Sequence, residues 1–225
     1  MSLDPQGELA KAGAVRVRHA LCHAETDALA TLLADVDPTA PGVRLHDRPG
    51  LTRALSPDGA IGRTVATVAG DGYRPVRAVI FDKSRANNWS LGWHQDRVIA
   101  VKARSPQPGF GPWSIKAGVQ HVAPPFDLLR RMVTVRVHLD PVDETNAPLL
   151  VALGTHDRLH GVAHVAAAVS EAPQLACLAD AGDIWIYATP ILHASAAATT
   201  PRRRRVLQID FSRDDLPGAL DWYGV

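Results

Sequence analysis

At 225 residues the chain sits near the upper end of what one hydrophobic core organises, so a single domain over 1–225 is the expectation. Hydrophobic residues make up 46% of it, which excludes a disordered chain, and 24 Lys and Arg stand against 23 Asp and Glu. Nothing in that near-neutral balance suggests a nucleic-acid or membrane-surface partner.

The opening Met1-Ser2-Leu3-Asp4-Pro5 has an acid and a proline where a secretory leader needs a basic start and an apolar run. No apolar stretch approaches the ~18 residues that suggest a membrane span. Cys22 and Cys177 lie far apart and form no CxxC pattern, which fits two reduced, buried thiols in a cytoplasmic protein.

In chain order, residues 14–18 alternate like a short strand, and 24–36 place Leu29, Leu32 and Leu33 at helical spacing. Pro38, Pro41, Gly42 and Pro49-Gly50 mark a turn-rich stretch, followed by a short helix over 61–68 and a stop at Gly70-Asp71-Gly72. From Val76 the texture changes to strands: 76–81, 98–102, 132–139, 149–153, 184–187 and 206–211. Helices first and many short strands after predict a closed or sandwiched antiparallel sheet with helices packed outside. Within 132–139, Val133, Val135, Val137 and Leu139 share one face, and Thr134, Arg136 and His138 the other. The polar face fits solvent or the inside of a small barrel, and the pattern leaves both open.

Three pairs match His-x-Asp/Glu: His23–Glu25, His94–Asp96 and His138–Asp140. Iron(II) oxygenases need two histidines and one carboxylate on one side of the metal, and residues i and i+2 of a strand point the same way. A His-x-Asp pair on one strand with a distant histidine on a neighbour therefore supplies the set. His23–Glu25 falls at a helix start, where that geometry fails and Glu25 suits the first turn. His138–Asp140 is a serious rival, weakened by Pro141, which places Asp140 at a strand end. His156, His160, His164 and His193 are available as the third ligand; His160 and His164 lack the acid of a HExxH motif. In the run 202–205, one arginine turned inward would clamp a carboxylate with two parallel hydrogen bonds, while the rest read as a solvated turn. Alternation pairs Arg202 with Arg204 on one face.

The segment Phe81-Asp82-Lys83 through Trp93-His94-Gln95-Asp96 resembles the phytanoyl-CoA dioxygenase family, whose metal motif commonly reads His-Gln-Asp after a lysine-bearing strand. Asn146-Ala147-Pro148-Leu149, Leu153-Gly154-Thr155-His156, His193-Ala194-Ser195 and an eleven-residue step to Arg204 follow in the family's order. The likeness covers roughly 76–212, with a fainter echo in the first 36 residues. Ala147 stands where the family usually has Gly and Leu153 where it usually has Pro, departures expected to affect turns rather than chemistry.

The resemblance implies a mainly β fold, a double-stranded β-helix (jelly-roll, cupin-like) core about 76–212 with N-terminal helices outside. It favours His94–Asp96 over His138–Asp140. His94, Asp96 and His193 are then the Fe(II) ligands, Arg204 and Ser195 hold the distal carboxylate of 2-oxoglutarate, and Lys83 lines the same pocket. It further implies an oxidation that consumes dioxygen and 2-oxoglutarate and releases succinate and CO2. Halogenating relatives lack the carboxylate ligand, so Asp96 points to hydroxylation. Arg136 and His138 are candidates for substrate contact. Residues 97–132, with Phe110, Trp113, Lys116 and His121, read as a loop over the substrate or a plain surface excursion. Two alternatives remain: a cupin-like metalloenzyme that does not use 2-oxoglutarate, and an inactive metal-binding relative.

Overall fold

The computed structural model describes residues 4–40 and 42–225; Met1-Ser2-Leu3 and the expected turn residue Pro41 lie outside the described residues. In chain order the elements are α1 (Pro5–Ala12), β1 (Ala14–Val17), α2 (His23–Leu32), β2 (Val43–Leu45), α3 (Pro49–Leu55), α4 (Ala60–Ala69) and β3 (Arg74–Lys83). There follow β4 (Leu91–His94), β5 (Ile99–Val101), β6 (Trp113–Lys116), β7 (Val119–Val122), α5 (Phe126–Leu129), β8 (Val133–His138) and β9 (Leu149–Ala152). The chain closes with α6 (Val165–Glu171), β10 (Gln174–Cys177), β11 (Ile184–Ala188), β12 (His193–Ser195) and β13 (Arg204–Ser212).

A six-stranded sheet runs β1-β11-β8-β13-β3-β2 and a four-stranded sheet β10-β9-β12-β4, with antiparallel pairing throughout. Leu149 and Val151 of the smaller sheet bury against Trp185 and Tyr187 of the larger, so the two sheets face one another as a double-stranded β-helix. The core thus reaches beyond 76–212, because β1 and β2 from the N-terminal part close the two edges of the large sheet.

Alternation decides what each face of the large sheet does. Val133, Val135 and Val137 of β8, with Leu207, Ile209 and Phe211 of β13, pack against Leu29, Leu51, Leu55, Ile61 and Val65 of the helices. Each such side chain contributes about 1.5–3 kcal/mol by burial. Thr134, Arg136 and His138 turn the other way and are buried, so the polar face of β8 belongs to the interior.

The helices start where local chemistry predicts. Asp4 caps α1 with its side chain on the Gly7 amide and a proline at the first position. Glu25 accepts from the Cys22 backbone amide at 2.8 Å, so it is a capping acid and His23–Glu25 is no metal pair. Residues 97–132 are not a bare loop. They form a three-stranded sheet, β5-β7-β6, that packs with Leu128, Leu129 and Met132 on Leu220 and Trp222 of the C-terminal tail. Cys177 is buried as expected, but Cys22 is exposed, because it sits at the start of α2; neither is in a disulfide. Among the described residues no helix is long and apolar enough to cross a membrane.

Candidate active site

His94 ends β4 and His193 opens β12, and antiparallel pairing sets the two directly opposite. Their rings lie 4.2 Å apart between centroids. Asp96 falls two residues beyond the end of β4, so the candidate pair is not carried by one continuous strand. It reaches the same place because Gln95 points the opposite way and is fully engaged. Its amide nitrogen donates to Arg158 O at 2.9 Å and Pro190 O at 2.6 Å, and its oxygen accepts from the His160 amide at 2.9 Å. One ligand atom each from His94, Asp96 and His193 lie within 4.8 Å of one another, the only such group among the described residues. The rival pair separates: Asp140 takes Arg205 in a two-pronged ion pair at 2.7 and 2.9 Å. His156, His160 and His164 remain outside the group, with His160 Nε2 3.2 Å from Thr155 O.

The donor set fits a metal ion. His94 Nδ1 lies 2.8 Å from Gly92 O and His193 Nδ1 2.9 Å from Ile191 O. A carbonyl only accepts, so each Nδ1 carries a proton and each Nε2 is the nitrogen left to face a metal. Burial raises the Asp96 pKa, but His193, Arg77, His94 and Lys116 outweigh it and hold the carboxyl below its ordinary value. Burial lowers the His193 pKa, and the Asp96 charge only partly offsets it. Two imidazoles beside one carboxylate form a donor set that suits a divalent ion.

The same three residues line one end of a cavity of about 210 Å³ between the two sheets. Its wall also includes Lys83, Arg136, Ser195 and Arg204. Lys83 and Arg204 are cross-strand partners on β3 and β13, while Arg136 on β8 faces Gln208 on β13. The 202–205 run sorts itself: Arg202 pairs with Asp143, Arg203 with Asp82 and Arg205 with Asp140. Arg204 alone turns inward, 2% exposed, and donates to the Ala147 carbonyl. The strand begins only at Arg204, so alternation does not extend back to Arg202.

Lys83 donates to Trp89 O at 2.7 Å, Ser195 Oγ at 3.1 Å and Ala196 O at 3.1 Å. Arg136 donates to Gln208 Oε1 at 2.7 Å. None of Lys83, Arg136 and Arg204 has an acidic partner among the described residues. Burial, then Arg204 and Arg136, pushes Lys83 down to about 7; burial, then Arg136, pushes Arg204 down to about 9. Three buried cations without a counter-ion are costly to keep, which marks a place for an anion.

His138 is buried on the same strand as Arg136, with neither ring nitrogen partnered, but it is not on the cavity wall. Ala147 adopts φ 53°, the left-handed conformation that suits glycine, and its carbonyl is the one Arg204 uses. That departure therefore touches the site and not only a turn. Sequence reasoning passed over Arg44, Arg77 and Gln95. Arg77 lines the cavity and pairs with Asp210 at 2.7 Å. Its signal was the i, i+2 row Arg77, Val79, Phe81, Lys83 on β3, which faces inward as a unit.

Comparison with known proteins agrees with this construction. The phytanoyl-CoA dioxygenase (PhyH) family profile matches residues 8–206. The chain belongs to that family. No curated protein sequence matches it. Among solved structures, the 2-oxoglutarate-dependent carbocyclase SnoK of nogalamycin biosynthesis superposes with a TM-score of 0.69 at 16% identity, covering 97% of this chain and 88% of that one. EctD from S. alaskensis, with 2-oxoglutarate and 5-hydroxyectoine, gives 0.67 at 15% identity over 94% and 76%. The epimerase SnoN, in complex with Fe3+, alpha ketoglutarate and nogalamycin RO, gives 0.65 at 17% over 95% and 89%. At these identities the likeness shows the family's fold, shared by enzymes of different outcome.

Proposed function

We propose that this phytanoyl-CoA dioxygenase family member is an Fe(II)- and 2-oxoglutarate-dependent dioxygenase that hydroxylates a small molecule and releases succinate and CO2. The observation that carries the reading is the pairing, in one cavity, of a two-histidine, one-carboxylate group with three buried cations that lack a counter-ion. His94, Asp96 and His193 are the metal ligands in this reading, and the unused sides of the ion are left for cosubstrate and dioxygen. Bound iron with 2-oxoglutarate and dioxygen supplies the oxidising power. The chain's own work is positional. Arg204 offers a planar fork to the distal carboxylate of 2-oxoglutarate. Ser195 and Lys83 complete that cradle, and Arg136 adds charge from the next row.

Asp96 as third ligand favours hydroxylation over halogenation, because the carboxylate occupies the position a halide would need. The fold equally serves a carbocyclase and an epimerase, so gain of one oxygen atom in the product is the test of that finer claim. A cupin-like enzyme without 2-oxoglutarate has no use for the Lys83–Arg204 pair, and an inactive relative has no need to keep it beside an intact ligand set. We place the protein in the cytoplasm, as one domain, on the strength of its two unpaired cysteines and continuous sheets.

The deciding experiment is an anaerobic titration of the iron(II) protein with 2-oxoglutarate, followed by visible absorption. The charge-transfer band of an α-keto acid chelated to iron(II) is expected in the wild type and absent in His94→Ala and Asp96→Ala. Arg204→Ala is expected to weaken 2-oxoglutarate binding by about 2–3 kcal/mol, while Arg203→Ala leaves it unchanged. No band in the wild type would remove 2-oxoglutarate from the reading.

A further inference from the structure

The large sheet places a further cation in the cavity, four residues along β3 from the Lys83–Arg204 pair. Arg44 on β2 pairs across to Val79 on β3, and Val79 to Gln208 on β13. Arg44 lines the cavity together with Arg77, His94 and Asp96. Gly42, just before β2, makes this approach possible: a Cβ there would lie 2.9 Å from the Phe81 ring.

Arg44 makes no ion pair among the described residues, and its buried Nε has no hydrogen-bond partner. No neighbouring carboxylate among the described residues pairs with it. Arg77 is already matched by Asp210, and burial and the Arg77 charge depress the Arg44 pKa. His121, close enough to feel both arginines, is held below its ordinary pKa first by burial and donates Nδ1–H to Val119 O at 2.9 Å. It is therefore neutral, and its buried Nε2 is unpartnered as well.

Arg44 and Arg204 stand at different positions along the sheet. Val79 and Lys83 are four residues apart on β3, and Arg44 and Arg204 lie on opposite flanks of that strand. Sheet spacings of about 3.3 Å per residue and 4.8 Å per strand put their Cα atoms ~16 Å apart, so the two guanidiniums enter the cavity from different rows of the sheet. Arg77, one row from Arg44, is near enough to Asp96 to lower its pKa, so the Arg44 end adjoins the metal ligands.

We infer that Arg44 receives an anionic group of the substrate, a carboxylate or a phosphate, with Arg77 beside it and the bond to be oxidised held toward His94 and Asp96. This rests on the oxygenase reading, since it assigns the Lys83–Arg204 end to 2-oxoglutarate. A charge-assisted pair with a guanidinium in a partly desolvated wall is strong and directional, so it fixes which end of the substrate enters first.

The test uses full-length protein loaded with Mn(II). 2-Oxoglutarate is titrated by calorimetry into the wild type, R44Q and R44K; inorganic phosphate and propionate are then titrated into each, with and without 2-oxoglutarate. At least one of the two anions is expected to bind the wild type, about tenfold or more weaker in R44Q and largely restored in R44K, with 2-oxoglutarate affinity the same in all three. Preference for phosphate or for propionate then names the substrate's group. Three results would overturn the inference: anion binding equal in R44Q and wild type, no anion binding to the wild type at ~50 mM, or 2-oxoglutarate weakened in R44Q as much as the anion. Wild-type protein that binds no 2-oxoglutarate would instead remove the oxygenase reading, and the titrations without it still decide whether Arg44 holds an anion.

Discussion

Lys83 is 2% exposed, bonded to two carbonyls and a hydroxyl, and flanked by Arg204 and Arg136. Its ammonium therefore titrates at about 7. A carboxylate bound alongside favours the charged form and raises that value again. Above pH 7 the free protein has largely lost the proton and the complex holds it, so binding takes up a proton. 2-Oxoglutarate affinity is expected to fall as pH rises above about 7, by up to about tenfold per unit, and Lys83→Met should flatten the profile. Calorimetry in buffers of different ionisation enthalpy reads the proton directly. A pH-independent affinity in the wild type would place the cosubstrate away from Lys83. The same shift acts on folding with a fixed sign. Between about 7 and the ordinary lysine value of 10.5 the unfolded chain binds more protons than the folded one. From this group, the stability of the ligand-free protein rises with pH across that window. Urea unfolding at the two ends of the window, in wild type and Lys83→Met, isolates the contribution.

At the scale of elements, the site depends on short pieces held by side chains rather than by long ladders. β4 has four residues and β12 three, and Asp96 lies outside both. What fixes the turn from β4 to β5 is Gln95, tied to the 155–160 segment and to Pro190, just ahead of β12. Gln95→Leu keeps the bulk and deletes four buried or half-buried bonds, one of them from Arg97. It is expected to cost about 2–4 kcal/mol of stability and about tenfold in Mn(II) affinity, because removing a ligand's support typically costs that much. Metal affinity equal to the wild type in the folded variant would show that the ligand geometry does not need this anchor. The scale of elements also explains what could be read in advance. β8 announced itself by strict alternation, and α2 and α4 by the apolar spacing of 24–36 and 61–68, although α2 stops at Leu32. β2, β6 and β12 are too short to carry a period, and β2, with Arg44, sits inside a stretch dominated by Pro38, Gly42 and Pro49. The face on which Arg136 lies was set by the second sheet, which no residue of β8 encodes. Arg204 was singled out by family spacing; what separates it physically from its neighbours is that Arg202, Arg203 and Arg205 each have an aspartate and it has none.

For the whole molecule, division of labour between the two faces of the large sheet has a thermodynamic consequence. The helix-side face is apolar and fully matched, while the inner face carries Lys83, Arg136 and Arg204 without counter-ions. The folded state thus holds an electrostatic cost, eased in part by loss of the Lys83 proton, that bound anions relieve, and that relief appears as stabilisation of the native form. A ligand at one hundred times its dissociation constant adds about 2.7 kcal/mol, and a chain of this size gains about 2–4 °C per kcal/mol, so saturation should raise Tm by roughly 5–10 °C. The two halves of the cavity should be separable. Mn(II) alone is expected to raise Tm in the wild type and in Arg204→Ala, but not in His94→Ala. 2-Oxoglutarate added to the Mn(II) protein should raise it further in the wild type, and little in Arg204→Ala. In His94→Ala, with the metal end lost, only the weaker pull of the distal cations on the dicarboxylate remains. A 2-oxoglutarate shift in Arg204→Ala as large as in the wild type would mean that the dicarboxylate is held by the metal alone. The three buried cations would then have to be explained by another anion.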